Sequence, residues 1–526
     1  MDTCKKKLLD EFLFEQYPLS TNIGGNMDPY SSDVLWILIL GFIFGFFLAF
    51  GVGANDVANS FGTSVGSKAL TLKTACILAT IFEIMGSVLM GYKVSDTVRK
   101  EIFDVEIFSE FPKLLMLGFL SSLIGSGIWN IVATFFQWPI SGTQSIVGAV
   151  IGFAAVARGF ESIKWQTLGK IVSSWFLSPV LSGIISSAIY LLLEKFILKK
   201  INASERAYNA MPFCWGITIF VNLFSVIHNG PHYLGFDTLP AWGVLLIAGG
   251  VGIIFGICVW YILVPYLQHS LSNMGDSENS ENQIDRDDLP SKIPYPEAEN
   301  PGFEGNGHEI PMGKVSSSYS LDMTTSNNTS VSTIDEDLSK KIEKEQLPSD
   351  ALSDYESPEI SRVFASLQIL TAIFASFAHG ANDVSNAIGP VIAIWSIYQD
   401  GNVAQNEESP FWIMLFGGFG ISVGLWVWGQ KVIRTIGENL TKITPSSGFC
   451  IEIGAATTVL LASKIGLPIS TTHCKVGSIV FVGWTRSRAE VHWKLFRSII
   501  FAWVLTLPVC GALSAAAMAI LIAVAS

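Results

Sequence analysis

Apolar residues run in long stretches at about 34–54, 71–91, 113–136, 139–157, 168–194, 212–228 and 241–266, then at about 364–380, 411–429, 447–463, 468–484 and 497–525. A helix needs roughly 17–25 apolar residues to span a bilayer, and most of these stretches are that long. They predict an all-α polytopic membrane protein of about 12 membrane segments. Only Gln137-Trp138 separates 113–136 from 139–157, and Pro139 breaks the pattern. Two full spans turn poorly in that distance, so a re-entrant helical hairpin is an equal reading. Residues 1–33 read as a polar N-terminal tail, and no cleavable signal peptide is apparent ahead of Val34. Residues 267–361, rich in Ser, Asn, Asp, Glu and Pro, read as a disordered acidic loop. It offers phosphorylation sites at Ser316–Ser318, and sequons begin at Asn202, Asn327, Asn328 and Asn439.

The polar residues that interrupt the apolar pattern repeat. Asn55-Asp56 recurs as Asn382-Asp383, an offset of 327. Pro139-Ile140-Ser141-Gly142-Thr143 recurs as Pro468-Ile469-Ser470-Thr471-Thr472, and Pro179 as Pro508, both at 329. A nearly constant spacing of three landmarks argues for an internal repeat. Seven segments separate corresponding elements, or five if the hairpin does not cross, and either count is odd. The expectation is two inverted-topology repeats with interrupted helices, 34–195 and 362–526, linked by connecting spans at 211–266. That is the architecture of secondary transporters, whose sites lie near the midplane between the repeats.

Composition agrees. The chain of 526 residues is 50% hydrophobic and 14% charged, against about 25% charged in soluble domains. The net charge of −12 says nothing about a substrate, because residues 268–361 carry 20 acidic and 6 basic side chains. Cys76, Cys258, Cys450, Cys474 and Cys510 fall in apolar runs and read as small buried residues, not a disulfide framework. No nucleotide-binding loop, zincin helix or Ser/His/Asp arrangement appears in a credible context. The chain reads as neither an ATP-driven pump nor an enzyme, with no catalytic residues and no cofactor expected.

A helix that starts inside a membrane presents free N–H groups and a partial positive charge to an anion. The P-I-S-x-T stretches suit such starts: Pro fits a first turn and Ser or Thr a cap. Ser141, Thr143, Ser470, Thr471 and Thr472 either merely cap a Pro-broken helix or donate to a tetrahedral oxyanion, and the matched pair favours the second. An ionisable residue at membrane depth is costly enough to mark function. Asp56 and Asp383 would repel an anion, so the Asn-Asp pairs suit a small cation, with a purely structural role as the alternative. Glu83 and Glu452 are lone carboxylates in apolar segments that could help bind a cation or carry a proton. His379 and His473 read as satisfied helix-end histidines; Lys68, Lys464 and Lys475 as side chains snorkelling from helix ends; Trp and Tyr as interface anchors.

The stretches G-A-N-D-V-A-N-S (Gly53–Ser60), G-A-N-D-V-S-N-A (Gly380–Ala387), P-I-S-G-T and P-I-S-T-T-H-C-K-V-G-S together resemble the inorganic phosphate transporter (PiT) family. The long acidic loop and W-T-R-S-R at Trp484–Arg488 resemble its animal-type sodium-dependent phosphate cotransporters. The likeness covers about 34–266 and 362–526. It implies a symporter of inorganic phosphate with sodium in the plasma membrane, working by elevator-like or rocking alternation, with both termini outside and the acidic loop cytoplasmic. It implies sodium and phosphate ligands among Asn55, Asp56, Asn382 and Asp383, and phosphate ligands among Ser141, Gly142, Thr143, Ser470, Thr471 and Thr472. It also implies that Glu83 and Glu452 support transport. Sodium is the only metal expected; the partners are phosphate, sodium, the lipid bilayer and a second copy in a homodimer, with no nucleic acid. Relatives commonly have His where this chain has Gln144, and some have Glu where it has Phe119. The competing readings are a proton-coupled oxyanion permease and a phosphate sensor or cell-surface receptor.

Overall fold

The computed structural model describes residues 25, 27–228, 230, 234–270, 356–405, 409–437, 440–487 and 491–525. Most of the N-terminal tail, nearly all of the acidic loop with its phosphorylation run, Arg488 and the sequons at Asn327, Asn328 and Asn439 lie outside the described residues. Among the described residues the chain is helical, apart from one antiparallel bridge between Phe103 and Ile163. In the first half the helices are α1 Leu35–Asn55, α2 Ala58–Gly66, α3 Leu72–Met90, α4 Tyr92–Lys100, α5 Pro112–Phe135, α6 Gly142–Arg158 and α7 Trp165–Leu193. Then come α8 Ala203–Ile227 and α9 Ala241–Cys258. In the second half they are α10 Pro358–His379, α11 Ser385–Asp400, α12 Phe411–Gly424, α13 Gln430–Gly437, α14 Pro445–Lys464, α15 Thr471–Arg486 and α16 Trp493–Ala525.

Ten helical stretches among the described residues are long and apolar enough to cross a bilayer. The two predicted runs that fall short are those opening with the P-I-S motifs: α6 has 17 residues and α15 has 16. Both start late, behind an extended lead. Pro139 and Pro468 sit in that lead, three residues before the first helical residue, and not in the first turn as the sequence suggests. There they keep the preceding residue out of helical geometry. Ser141 and Ser470 then cap the helices, accepting from the amides of Gln144 (3.3 Å) and His473 (3.1 Å).

The two Asn-Asp stretches differ locally. Asp56 and Val57 form a turn between α1 and α2. Asn382 and Asp383 lie inside a π-helical turn, Gly380–Val384, that joins α10 to α11 without a break. Both stretches begin with a glycine against another backbone. A Cβ on Gly53 would strike the carbonyl of Ile421 on α12, and one on Gly380 the carbonyl of Glu83 on α3. These crossings bring α1 onto α12 and α10 onto α3 at the level of the Asn-Asp pairs.

Around this core the outward faces are apolar: Phe176, Leu246, Ile262, Val504 and Val524 are largely exposed. Such a surface suits lipid and not water. The protein is a multi-pass integral membrane protein. Several sequence expectations change. Cys258 is exposed on the outer face, not buried. Trp129, Trp175 and Trp503 are buried, not interfacial anchors. Lys464 reaches the carbonyls of Ser225 and His228 at the end of α8 instead of snorkelling. Lys475 is buried, 2% exposed, inside the bundle.

Candidate functional site

Asn55 ends α1 and holds the lead into α6. Its Nδ2 donates to Trp138 O (2.9 Å) and Thr134 Oγ1 (3.1 Å), and its Oδ1 accepts from Ile140 N (3.1 Å). One residue on, Asp56 Oδ2 accepts from the amide of Gly142, the first residue of α6, at 2.9 Å. The carboxylate thus meets an orphan donor at the positive end of a helix. Its other oxygen accepts from Thr472 Oγ1 on α15 at 3.4 Å.

The second stretch has matching contacts. Asn382 Nδ2 donates to Ile469 O in the lead to α15 (2.8 Å). Asp383 Oδ2 accepts from Thr471 Oγ1 (2.6 Å), and its Oδ1 from Thr143 Oγ1 of α6 (3.4 Å). The second asparagines cross between the halves: Asn59 Nδ2 donates to Thr472 Oγ1 (2.9 Å), Asn386 Nδ2 to Thr143 Oγ1 (2.8 Å). Thr472 in turn lies 2.8 Å from Ile140 O, and Thr143 lies 2.8 Å from Ile469 O. A threonine hydroxyl has one proton, so Thr143 and Thr472 each choose between a carbonyl and a carboxylate.

This geometry sorts the expected residues. Asp56, Thr143, Asn382, Asp383, Thr471 and Thr472 come together in one buried cluster, with Gly142 contributing its amide. Ser141 and Ser470 adjoin it; each oxygen accepts as a helix cap, which leaves the hydroxyl proton to donate. Asn55 has both side-chain atoms committed to the α6 lead, so it shapes the site more than it faces it. Asn59 Oδ1, Asn382 Oδ1 and Asn386 Oδ1 are buried without a hydrogen-bond partner. An orphaned buried acceptor calls for an explanation, and a bound cation is one. The sequence already showed Asn59 and Asn386 at matched positions, but only the geometry reveals their spare oxygens.

Two further carboxylates lie between α2 and α10. Glu83 Oε1 accepts from Ser376 (3.1 Å) and Ser60 (3.4 Å). Glu452 Oε1 accepts from Ser64 (2.5 Å), Thr63 (2.6 Å) and Gln368 (3.3 Å), and its Oε2 from Thr371 (2.7 Å). His379 is more than a satisfied helix end. Its Nδ1 lies 2.7 Å from Glu83 Oε2 and its Nε2 3.0 Å from Asp383 Oδ2, the second at ion-pair distance but not aligned as a hydrogen bond. The i, i+4 spacing of His379 and Asp383 was visible in the sequence; the approach of Glu83 was not.

His473 lies tilted against Trp503, ring centroids 3.8 Å apart, and donates through Nδ1 to Trp175 O (3.0 Å). That carbonyl lies four residues before Pro179, which has no N–H to give it. At the positions where relatives are expected to differ, Gln144 is buried with its Oε1 unpaired, and Phe119 packs with Phe103 and Phe153.

Residues 52–514 match the phosphate transporter family. The chain is 39% identical to sodium-dependent phosphate transporter 1-A of Danio rerio, over 93% of this chain and 95% of that protein. It is 38% identical to sodium-dependent phosphate transporter 1 of Homo sapiens, over 93% and 96% respectively. A solved structure of a sodium-dependent phosphate transporter is similar to it with a TM-score of 0.69 and 33% identity, over 92% of this chain and 99% of that one.

Proposed function

We infer that the chain, which belongs to the phosphate transporter family, is a secondary active symporter that carries inorganic phosphate into the cell on the sodium gradient. The observation that carries this reading is the shared use of donors in the buried cluster. The amide of Gly142 and the hydroxyl of Thr471 donate to Asp56 and Asp383, and the hydroxyls of Thr143 and Thr472 lie between a carbonyl and these carboxylates. The same donors are what a tetrahedral oxyanion needs. Sodium held by the carboxylates of Asp56 and Asp383, with the spare oxygens of Asn59, Asn382 and Asn386, would release those donors to phosphate. Each ion would then lower the cost of burying the other, which is a physical basis for coupling. Glu83 and Glu452 fix α2 against α10 around the cluster.

The proposal extends to a plasma-membrane location, to two inverted repeats at 34–195 and 362–526 joined by spans at 211–266 and a cytoplasmic loop at 267–361, and to a homodimer. The contacts of Thr472 with Asp56 and Asn59 correspond to those of Thr143 with Asp383 and Asn386, which supports the repeat reading. Radiolabelled phosphate uptake into proteoliposomes tests the function. Uptake is expected to require an inward sodium gradient and to fail in Asp56→Asn and Asp383→Asn; uptake indifferent to sodium overturns it. The placement of His379 between Glu83 and Asp383 favours one second reading, proton coupling. Uptake driven by a pH step in sodium-free buffer would decide for that.

A further inference from the structure

Lys475 is a buried ammonium whose Nζ lies 3.3 Å from Thr63 Oγ1. Thr63 passes the contact on, its hydroxyl donating to Glu452 Oε1 at 2.6 Å. The result is a relayed ion pair, Lys475 to Thr63 to Glu452, joining α15, α2 and α14. Its position follows from helical spacing. Lys475 is three residues after Thr472, and Thr63 is four after Asn59, so each pair shares a helix face. The contact of Asn59 with Thr472 and that of Thr63 with Lys475 are therefore successive rungs between α2 and α15.

The corresponding second rung is missing in the other half. Asn386 touches Thr143 as Asn59 touches Thr472. At the repeat offsets, however, Thr63 is replaced by Pro390 and Lys475 by Ile146, both buried and neither able to form such a bond. At this rung one half carries a charge and the other is apolar.

We propose that Lys475 is a positioning residue for sodium binding: through Thr63 and Glu452 it fixes the first turn of α15 against α2, presetting the Asp56–Asn59 half of the site. An unpaired ammonium in so buried a place is costly, and the relay offsets that cost while using Glu452 as counter-ion. The inference rests on the symport reading for its transport consequence and on geometry alone for the rung.

The test uses the full-length protein and three variants. Lys475→Met removes the cation, Thr63→Val removes the bridging hydroxyl at nearly constant shape, and Lys475→Arg keeps the charge. In proteoliposomes, Lys475→Met and Thr63→Val are expected to raise the sodium concentration for half-maximal phosphate uptake by roughly ten- to a hundredfold, the size of losing a hydrogen bond to a charged group. The maximal rate at saturating sodium is expected to stay near wild type, and Lys475→Arg to restore the sodium dependence. Hydrogen exchange of residues 470–476 in ion-free detergent should quicken in the first two variants and not in Lys475→Arg. Unchanged sodium dependence and unchanged exchange in Thr63→Val overturn the proposal even if Lys475→Met fails to fold. If wild-type uptake needs no sodium, the symport reading fails, and the exchange comparison still decides whether the rung exists.

Discussion

Asn59 Nδ2 reaches 2.9 Å across the molecule to Thr472 Oγ1, joining residues 413 apart in sequence, while the Oδ1 of the same amide is buried without a partner. One end of the side chain is anchored and the other is held open. Asn59→Ala removes both, and Asn386→Ala does the same in the other half. Each is expected to raise the sodium requirement for uptake by roughly tenfold, an energy of about 1.4 kcal/mol. Sodium titrations of phosphate uptake check this; a change in phosphate affinity alone would contradict it.

Thr471→Val and Thr472→Val should act on the other cargo. Each deletes a donor of the kind a bound oxyanion needs, at about 1.5–3 kcal/mol for a hydrogen bond to a charged group. The expected outcome is a phosphate KM raised by roughly ten- to a hundredfold in saturating sodium. Measured binding of labelled phosphate to detergent-solubilised protein separates this loss from a slowed transport cycle.

His379→Gln tests the bridge between Glu83 and Asp383. Asp383 Oδ2 keeps Thr471, but Glu83 Oε2 loses its Nδ1 contact at 2.7 Å, and an unpaired buried oxygen costs about 1–3 kcal/mol. A lower thermal unfolding midpoint in detergent is the expected readout, and an unchanged midpoint would assign His379 no bridging role in the resting protein.

Gly53→Ala and Gly380→Ala place a methyl group into the carbonyls of Ile421 and Glu83. Backbone cannot swing aside as a side chain does, so both variants are expected to lose monodisperse folded protein. Gly169→Ala, where a Cβ meets nothing within 4 Å, is the neutral control. Fluorescence-detected size exclusion distinguishes them.

The apolar runs located nearly every long helix, because lipid imposes a length and a composition that are read directly from sequence. What they missed were the short or polar pieces: α2, α4 and α13, and the continuation of α10 into α11 past Asn382-Asp383. The repeat made the Asn-Asp and P-I-S motifs legible as partners within each half. Their crossing between halves was not, since no local pattern tells that Thr143 meets Asp383 and Thr472 meets Asp56. Lys475 was misread for the same reason. A lysine three residues beyond Thr472 looks like a helix-end cation until Thr63 and Glu452, from distant segments, are seen around it.

Pro179 marks a place where α7 gives up one of its own hydrogen bonds, and the neighbouring helix supplies the substitute. Besides His473 on Trp175 O, Ser182 donates to Cys474 O (2.8 Å) and Ser186 to Ser478 Oγ (2.9 Å), while Gly477 lies against Pro179 itself. A proline inside a helix is commonly a point of bending, but this one is riveted. Any motion that parts α7 from α15 has to break these contacts first.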